Sequence, residues 1–309
     1  MGDGTKENPY SREDVLRLIE ENGGTAKGLD LSGKVFEEGI DLRELDLKGI
    51  ILRDATLVNA HLEGADLEDA NLVKANLEGA VLVCASLDEA NLEMANLEGA
   101  YLAWASLDRA KLPGVSLRQA WLDRTSLIGA FLVGVEFSLD TKLGNVEWGN
   151  YILGEEAEGF FSLAQDTYRR LKVWHTTAGI YDIAAKFYYR EKEANRKGLK
   201  LCSKHWNDRL AAEFMRVFFG YGEKWERILV WMAVVIFGLA AAYYFWGSFR
   251  SSSFWDILYY SAASFTALGY GSWAPQPTGW AKGMGAAEAI IGVFMMALLL
   301  VTFVRKWTR

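Results

Sequence analysis

With 309 residues, 51% of them hydrophobic, 24% charged, and a net charge of −7, the chain has room for two or three units and is too apolar for an entirely soluble protein. Two cysteines, Cys84 and Cys202, exclude a disulfide framework, and three scattered histidines offer no metal-ligand spacing. No nucleophile, base and orienting group converge on one motif, so no enzyme is expected, and the acidic balance gives nucleic acid no purchase as a partner.

The N-terminal "MGDGTKENPYSREDV" has no apolar core of a signal peptide, and Lys6 interrupts the myristoylation pattern that Gly2 would begin. "PYSREDVLRLIEENGG" reads as one short helix. Ser11 and Asp14 stand at capping-box spacing, Leu16 and Ile19 share a face, and Gly23 stops it. Residues 1–29 are expected to cap whatever follows.

From Leu42 to Leu132 leucine recurs at every fifth position, and Phe137 takes the next place, giving twenty units. A small residue stands two positions earlier, usually alanine, as at Ala55, Ala60 and Ala65. A period of five fits neither a helix nor a flat strand, but a solenoid puts equivalent residues in register.

"ADLEDANLVKANLEGA" resembles the pentapeptide-repeat family. The resemblance implies a right-handed quadrilateral β-helix with four repeats per coil, hence five coils over residues 30–150, leucine inside and the small residue letting adjacent walls close. Between Asp30 and Glu136 there are 19 acidic and 9 basic residues. Some members of the family are acidic mimics of DNA that bind topoisomerases, so an interaction protein stands beside the reading developed below.

Residues 151–224 change to helical periodicity. Phe161, Leu163, Tyr168, Leu171, Val173 and Trp174 precede Gly179, and Ile183, Ala184, Phe187 and Tyr188 follow it, which reads as a helical hairpin. His175 and His205 are isolated and are expected to be packing residues. Trp206, Leu210, Phe214, Val217 and Phe218 then form one stripe of an amphipathic helix suited to a membrane surface, ending at "GYG" 220–222.

Residues 228–246 carry no charge, and 283–304 carry only Glu288, so each run can cross a bilayer core of about 30 Å. Lys224 and Arg227 flank the first run and Arg305, Lys306 and Arg309 the second, whereas the connector holds only Arg250 and Lys282. Both termini are therefore expected in the cytoplasm, with the chain in the cell inner membrane.

The connector opens with Ser253 and Asp256 at capping-box spacing, continues as an apolar helix of about a dozen residues, and ends in "TALGYGS". Residues 225–309 resemble the two-transmembrane, pore-loop potassium channel family. The resemblance implies a homotetramer in the lipid bilayer whose selectivity filter, Thr266, Ala267, Leu268, Gly269, Tyr270 and Gly271, coordinates potassium ions through backbone carbonyls. Ala267 stands where the family usually has threonine, and Ser272 where an aspartate usually follows. Glu288 is expected to support the pore from beside the pore helix, with Ser272 as a second support, and Gly292 is the candidate gating hinge. The expected whole is a multidomain cation channel, most naturally for potassium, needing no cofactor. Its cytoplasmic rod would regulate or assemble it by meeting an unknown ligand or protein.

Overall fold

The computed structural model describes residues 2–199, 206–246, 249, 253–269 and 275–307, and it divides into two compact units, 1–198 and 199–309. In the first unit, α1 (Arg12–Glu21) starts at Ser11 with a complete capping box: Ser11 accepts from the Asp14 N–H and Asp14 accepts from the Ser11 N–H. Gly2 and Arg17 also donate to the Asp14 carboxylate, and these hydrogen bonds hold its pKa down at about 2. The inward face of α1 differs from the sequence expectation. Val15 is buried and Leu18 and Ile19 are half-buried against the rod, while Leu16 is exposed, because the helix docks one residue out of the phase that pairs Leu16 with Ile19.

The rod is built from isolated parallel bridges between residues twenty apart, from Asp41↔His61 to Ser116↔Glu136. With five residues per repeat, this register gives four sides per coil. Each wall hands its hydrogen bonds to the next coil, as Leu42 N–H does to His61 O at 2.8 Å and His61 N–H to Ile40 O at 2.9 Å. The every-fifth leucines from Leu42 to Leu132 fill the interior, none more than 3% exposed. Truncating one to alanine would cost about 2–5 kcal/mol, since a rigid stack cannot collapse around the hole.

Coiling extends past both ends of the strict repeat. One extra residue between Phe36 and Leu42, and another between Phe137 and Leu143, lengthen the register to 21, as in Val35↔Thr56 and Trp121↔Lys142. An insertion at a corner leaves the wall pairing intact, so stacking survives although the five-residue count breaks.

The last coil is covered by α2 (Gly154–Ala157). Gly154 N–H bonds Ala130 O, and Glu155 accepts from the Leu132 N–H at 2.6 Å in place of another coil. Burial raises the Glu155 carboxyl above its ordinary pKa. For Glu156, burial acts in the same sense but Lys197, Tyr168 and Arg190 outweigh it, and the pKa is lowered.

The hairpin follows as α3 (Phe161–Thr177) and α4 (Tyr181–Gly198), turning at Gly179, whose φ is +77°. Tyr168, Leu171 and Phe187 are buried with the rod's core, and Ala184 is also buried; Leu163 and Val173, assigned to the same stripe by sequence, are exposed. His175 is fully buried among Trp148, Trp174 and Phe187, with Nδ1 2.8 Å from Leu171 O, and burial lowers its pKa. His205 lies outside the described residues.

In the second unit, α5 (Trp206–Phe214) passes through a π turn, Met215–Phe219, into a left-handed turn at Gly220, Tyr221 and Gly222. This first GYG is a helix-ending bend. Phe218 stacks on Trp231 at 4.3 Å and Arg227 donates to Arg216 O, so the bend is folded against the start of α6 (Trp225–Phe245). Then come α7 (Phe254–Thr266) and α8 (Trp280–Trp307). The helices α6 and α8 are each long and apolar enough to cross a membrane.

Candidate ion pathway

Helix α7 is the short helix between the two spans. Its start is fixed by Ser253 and Asp256, which form a reciprocal capping box, and its end by Ala267 in the left-handed conformation, φ 54°, with its N–H on Ser264 O. Thr266 spends its hydroxyl on Ala262 O at 2.8 Å, one turn back in the helix. Leu268 and Gly269 follow, both exposed, Gly269 with φ +90°. Tyr270, Gly271 and Ser272 lie outside the described residues. The two flanks of the loop meet again where Phe249 bridges Pro277 antiparallel.

The helix is held from both sides. Ser261 donates toward Ile236 O on α6 at 2.9 Å, and its oxygen also contacts the Glu288 carboxyl on α8. Tyr243 of α6 donates to the other Glu288 oxygen at 3.1 Å. Glu288, Ser261 and Tyr243 are each fully buried, so one carboxyl ties three helices together where the alternative is an unsatisfied polar group in an apolar surround. Tyr243 also packs edge-on against Phe249 and Tyr260, with ring centroids at 5.8 and 5.7 Å.

Below and above that carboxyl, α8 is stripped of side chains on the same face. Ala281 is fully buried and accepts from Tyr260 Oη at 3.4 Å, a Cβ at Gly285 would run into the Tyr260 hydroxyl, and one at Gly292 would overlap the Phe265 carbonyl. Residues 281, 285, 288 and 292 recur at helical spacing, which lets the α8 backbone approach the last turn of α7. Gly292 thus has a packing job at the turn that leads into Leu268 and Gly269, and α8 runs unbroken through it.

Sequence reasoning singled out Glu288 and Gly292 but missed their partners. Tyr243 is hidden in an aromatic run, "AYYFW". Ser261 could have been found, since it is a polar residue two turns into an apolar helix, as could the small-residue stripe, because its spacing is helical.

Residues 38–72, 60–99 and 100–138 match the pentapeptide-repeat family model, and residues 229–309 match the ion channel family model. Among solved structures, a pentapeptide repeat protein of the cyanobacterium Cyanothece is 26% identical over 45% of this chain and all of its own, with a TM-score of 0.25. One from the Arabidopsis thaliana thylakoid lumen is 31% identical, over 37% of this chain and 72% of its own, TM-score 0.19. The plasmid-mediated fluoroquinolone resistance protein QnrB1 is 18% identical, over 40% and 85%, TM-score 0.28. TM-scores this low add nothing to what the repeat itself says. No curated protein matches the chain. The chain therefore joins a pentapeptide-repeat domain, a right-handed quadrilateral β-helix, to a membrane-embedded ion-channel domain of the two-transmembrane pore-loop type.

Proposed function

We propose that the protein is a homotetrameric, potassium-conducting channel of the inner membrane, with both termini cytoplasmic and a pentapeptide rod that regulates or assembles the pore. The observation that carries this reading is the α6–α7–α8 arrangement: a capped, thirteen-residue helix wedged between two spans, delivering the chain directly into Leu268 and Gly269. A helix C-terminus aimed at the pore axis presents negative potential to a cation, and four copies of Leu268 to Gly271 supply rings of carbonyl oxygens. Glu288 supports the filter by fixing α7 to both spans, and Ser272, outside the described residues, is assigned the second supporting role. Basic residues at the ends of the spans and few in the connector favour the orientation. No nucleic-acid partner and no cofactor is required; the rod's ligand or protein partner awaits identification.

A second reading, a poorly selective cation pore, is favoured by Ala267. A hydroxyl at that position would add a coordinating oxygen per subunit, and the alanine supplies none. The purified chain in planar bilayers under opposed sodium and potassium decides between them. A reversal potential near the potassium limit supports the first reading, and one near zero the second; absence of any current from assembled protein would leave the membrane unit an anchor for an interaction rod. In the same assay Gly269→Ala should abolish selectivity or current, because alanine tolerates φ +90° poorly, whereas Gly222→Ala, in the first GYG, should leave selectivity unchanged.

A further inference from the structure

Between α3 and the last coil of the rod a cleft of about 540 Å³ stays open. Its rod side is the corner that carries the extra residue after Phe137. Gln119 N–H donates to Ser138 Oγ and Ser138 N–H to Thr141 Oγ1, each at 3.0 Å, so the corner is pinned, and Leu139 stands out of it 75% exposed. The helix side is Val173, 55% exposed, and Trp174, whose Nε1 donates to Ser138 O at 3.0 Å. That bond fixes the indole beside Phe137, ring centroids 6.4 Å apart, and gives the cleft a preformed apolar side.

The other side is cationic. Three guanidiniums line the cleft, Arg118 from the rod and Arg169 and Arg170 from α3, against one carboxylate, Glu136. Neighbouring acids hold these arginines without using them up. Arg169 and Arg170 share Asp166, at 3.5 and 3.1 Å, while Glu191, 3.4 Å from Arg169, is held closer by Lys172 at 2.7 Å. Arg118 meets Glu136 through Nη2 at 2.9 Å. Four cations thus meet three acids, beside a rod that carries 19 acidic against 9 basic residues between Asp30 and Glu136. This balance is particular to the site: the cleft next to α2 has Asp69, Glu89 and Glu158 against Arg109 and Lys111. All three arginines are more than half exposed, where ion pairs are weak and exchange readily for an incoming oxyanion. A guanidinium takes a carboxylate or phosphate through two N–H groups at once.

We propose that this cleft binds a small aromatic oxyanion, a carboxylate or phosphate on a flat apolar body, with the body against Trp174 and Leu139 and the charge on the arginines. The volume is that of a small-molecule site. An apolar body alone would leave the guanidiniums unused, and an inorganic anion alone would leave Leu139 and Val173 in water. A ligand with both parts uses the whole lining. Binding follows from the rod unit alone; that it acts on the pore rests on the regulatory role proposed above.

Isothermal titration of the full chain in lipid nanodiscs, with empty nanodiscs subtracted, tests this with 2-naphthoate and 2-naphthyl phosphate as probes and with 2-naphthol and inorganic phosphate as their separate halves. At least one of the two probes should saturate at one site per chain, and each half should bind about tenfold more weakly or worse. Arg118→Gln and Arg170→Gln, one from each side, should each weaken the probe about tenfold and leave 2-naphthol unchanged. Arg170 is bonded to Asp166 within α3, so its loss leaves the hairpin docked, and an unchanged circular dichroism melt verifies it. Arg109→Gln, in the acidic cleft, should change nothing. Val173→Trp narrows the cleft from an exposed position and should weaken the probe and 2-naphthol together. No saturable binding of either probe, binding no tighter than that of 2-naphthol, indifference to both Arg118→Gln and Arg170→Gln, or an equal loss in Arg109→Gln would each overturn the proposal. So would a fall in subunit number on Val173→Trp by light scattering, which would show a second copy filling the cleft. None of these outcomes bears on current under opposed sodium and potassium, so the site and the channel reading fail separately.

Discussion

Every fifth residue from Glu44 to Gly134 has a positive φ, and most of these positions hold something other than glycine. L-residues are disfavoured there by about 1–2 kcal/mol, less for asparagine and aspartate, and the stacked walls override that preference. Two substitutions isolate the effect. Gly99 has open space where a Cβ would go, so Gly99→Ala should lower rod stability by about 1 kcal/mol through backbone strain alone. Lys74→Gly removes strain but adds freedom to the unfolded chain, and a gain of about 0.5 kcal/mol is expected. Urea unfolding followed by circular dichroism measures both, and the opposite pair of signs would mean the walls impose no strain. In the membrane unit the same residue type does a different job. Gly292→Ala drives a methyl into the Phe265 carbonyl, an overpacking expected to cost about 1–3 kcal/mol and to reduce current per assembled channel. Gly283, on the same helix, has nothing within 4 Å, so Gly283→Ala should be neutral or stabilising and leave current intact. Equal losses in both variants would point to helix flexibility rather than packing.

At the scale of elements, what the sequence disclosed depended on whether one pattern determined the answer. The five-residue repeat did, because interior leucine and small wall residue satisfy only a coil; its ends were hidden because single-residue insertions at corners shift the count without breaking the pairing. The capping boxes at Ser11 and Ser253 were legible, being local chemistry. The faces of α1 and α3 were not, since docking on the rod chooses among several near-equivalent apolar stripes. In the pore unit Glu288 announced itself as a charge in an apolar run, while its partner Tyr243 is marked only by tertiary packing. The docking of the hairpin on the rod can be tested through His175. Its folded pKa is depressed by burial, so the unfolded chain binds a proton that the folded imidazole refuses. Stability should therefore be full above the ordinary histidine value of about 6.5 and should fall as pH drops below it, by at most about 1.4 kcal/mol per pH unit. His175→Phe, which keeps a ring among Trp148, Trp174 and Phe187, should flatten that slope in thermal melts at pH 5 to 7. An unchanged slope would place the titrating group elsewhere.

For the molecule as a whole, each of the two compact units owns its hydrophobic core. Leucines 42 to 132, α1, α3 and α4 bury one another in the first; in the second, Ala240, Tyr243, Ile257, Tyr260 and Ala281 pack around the Glu288 carboxyl, and Phe219, Ile228, Phe265 and Met295 pack at the other end of the helices. Among the described residues, the second unit's buried clusters are built from its own side chains. Folding of the pore helices should then be independent of the rod, whereas opening is a balance of a few kcal/mol that a tethered rod can bias. Removing residues 1–198 should leave an assembly that conducts potassium with the same reversal potential but a different open probability. Single-channel recording separates the quantities: unit conductance and reversal potential report on the pore, and the fraction of time open reports on the rod. A truncated protein that assembles and never conducts, or one whose reversal potential moves, would show that the rod shapes the filter and would sink this division of labour.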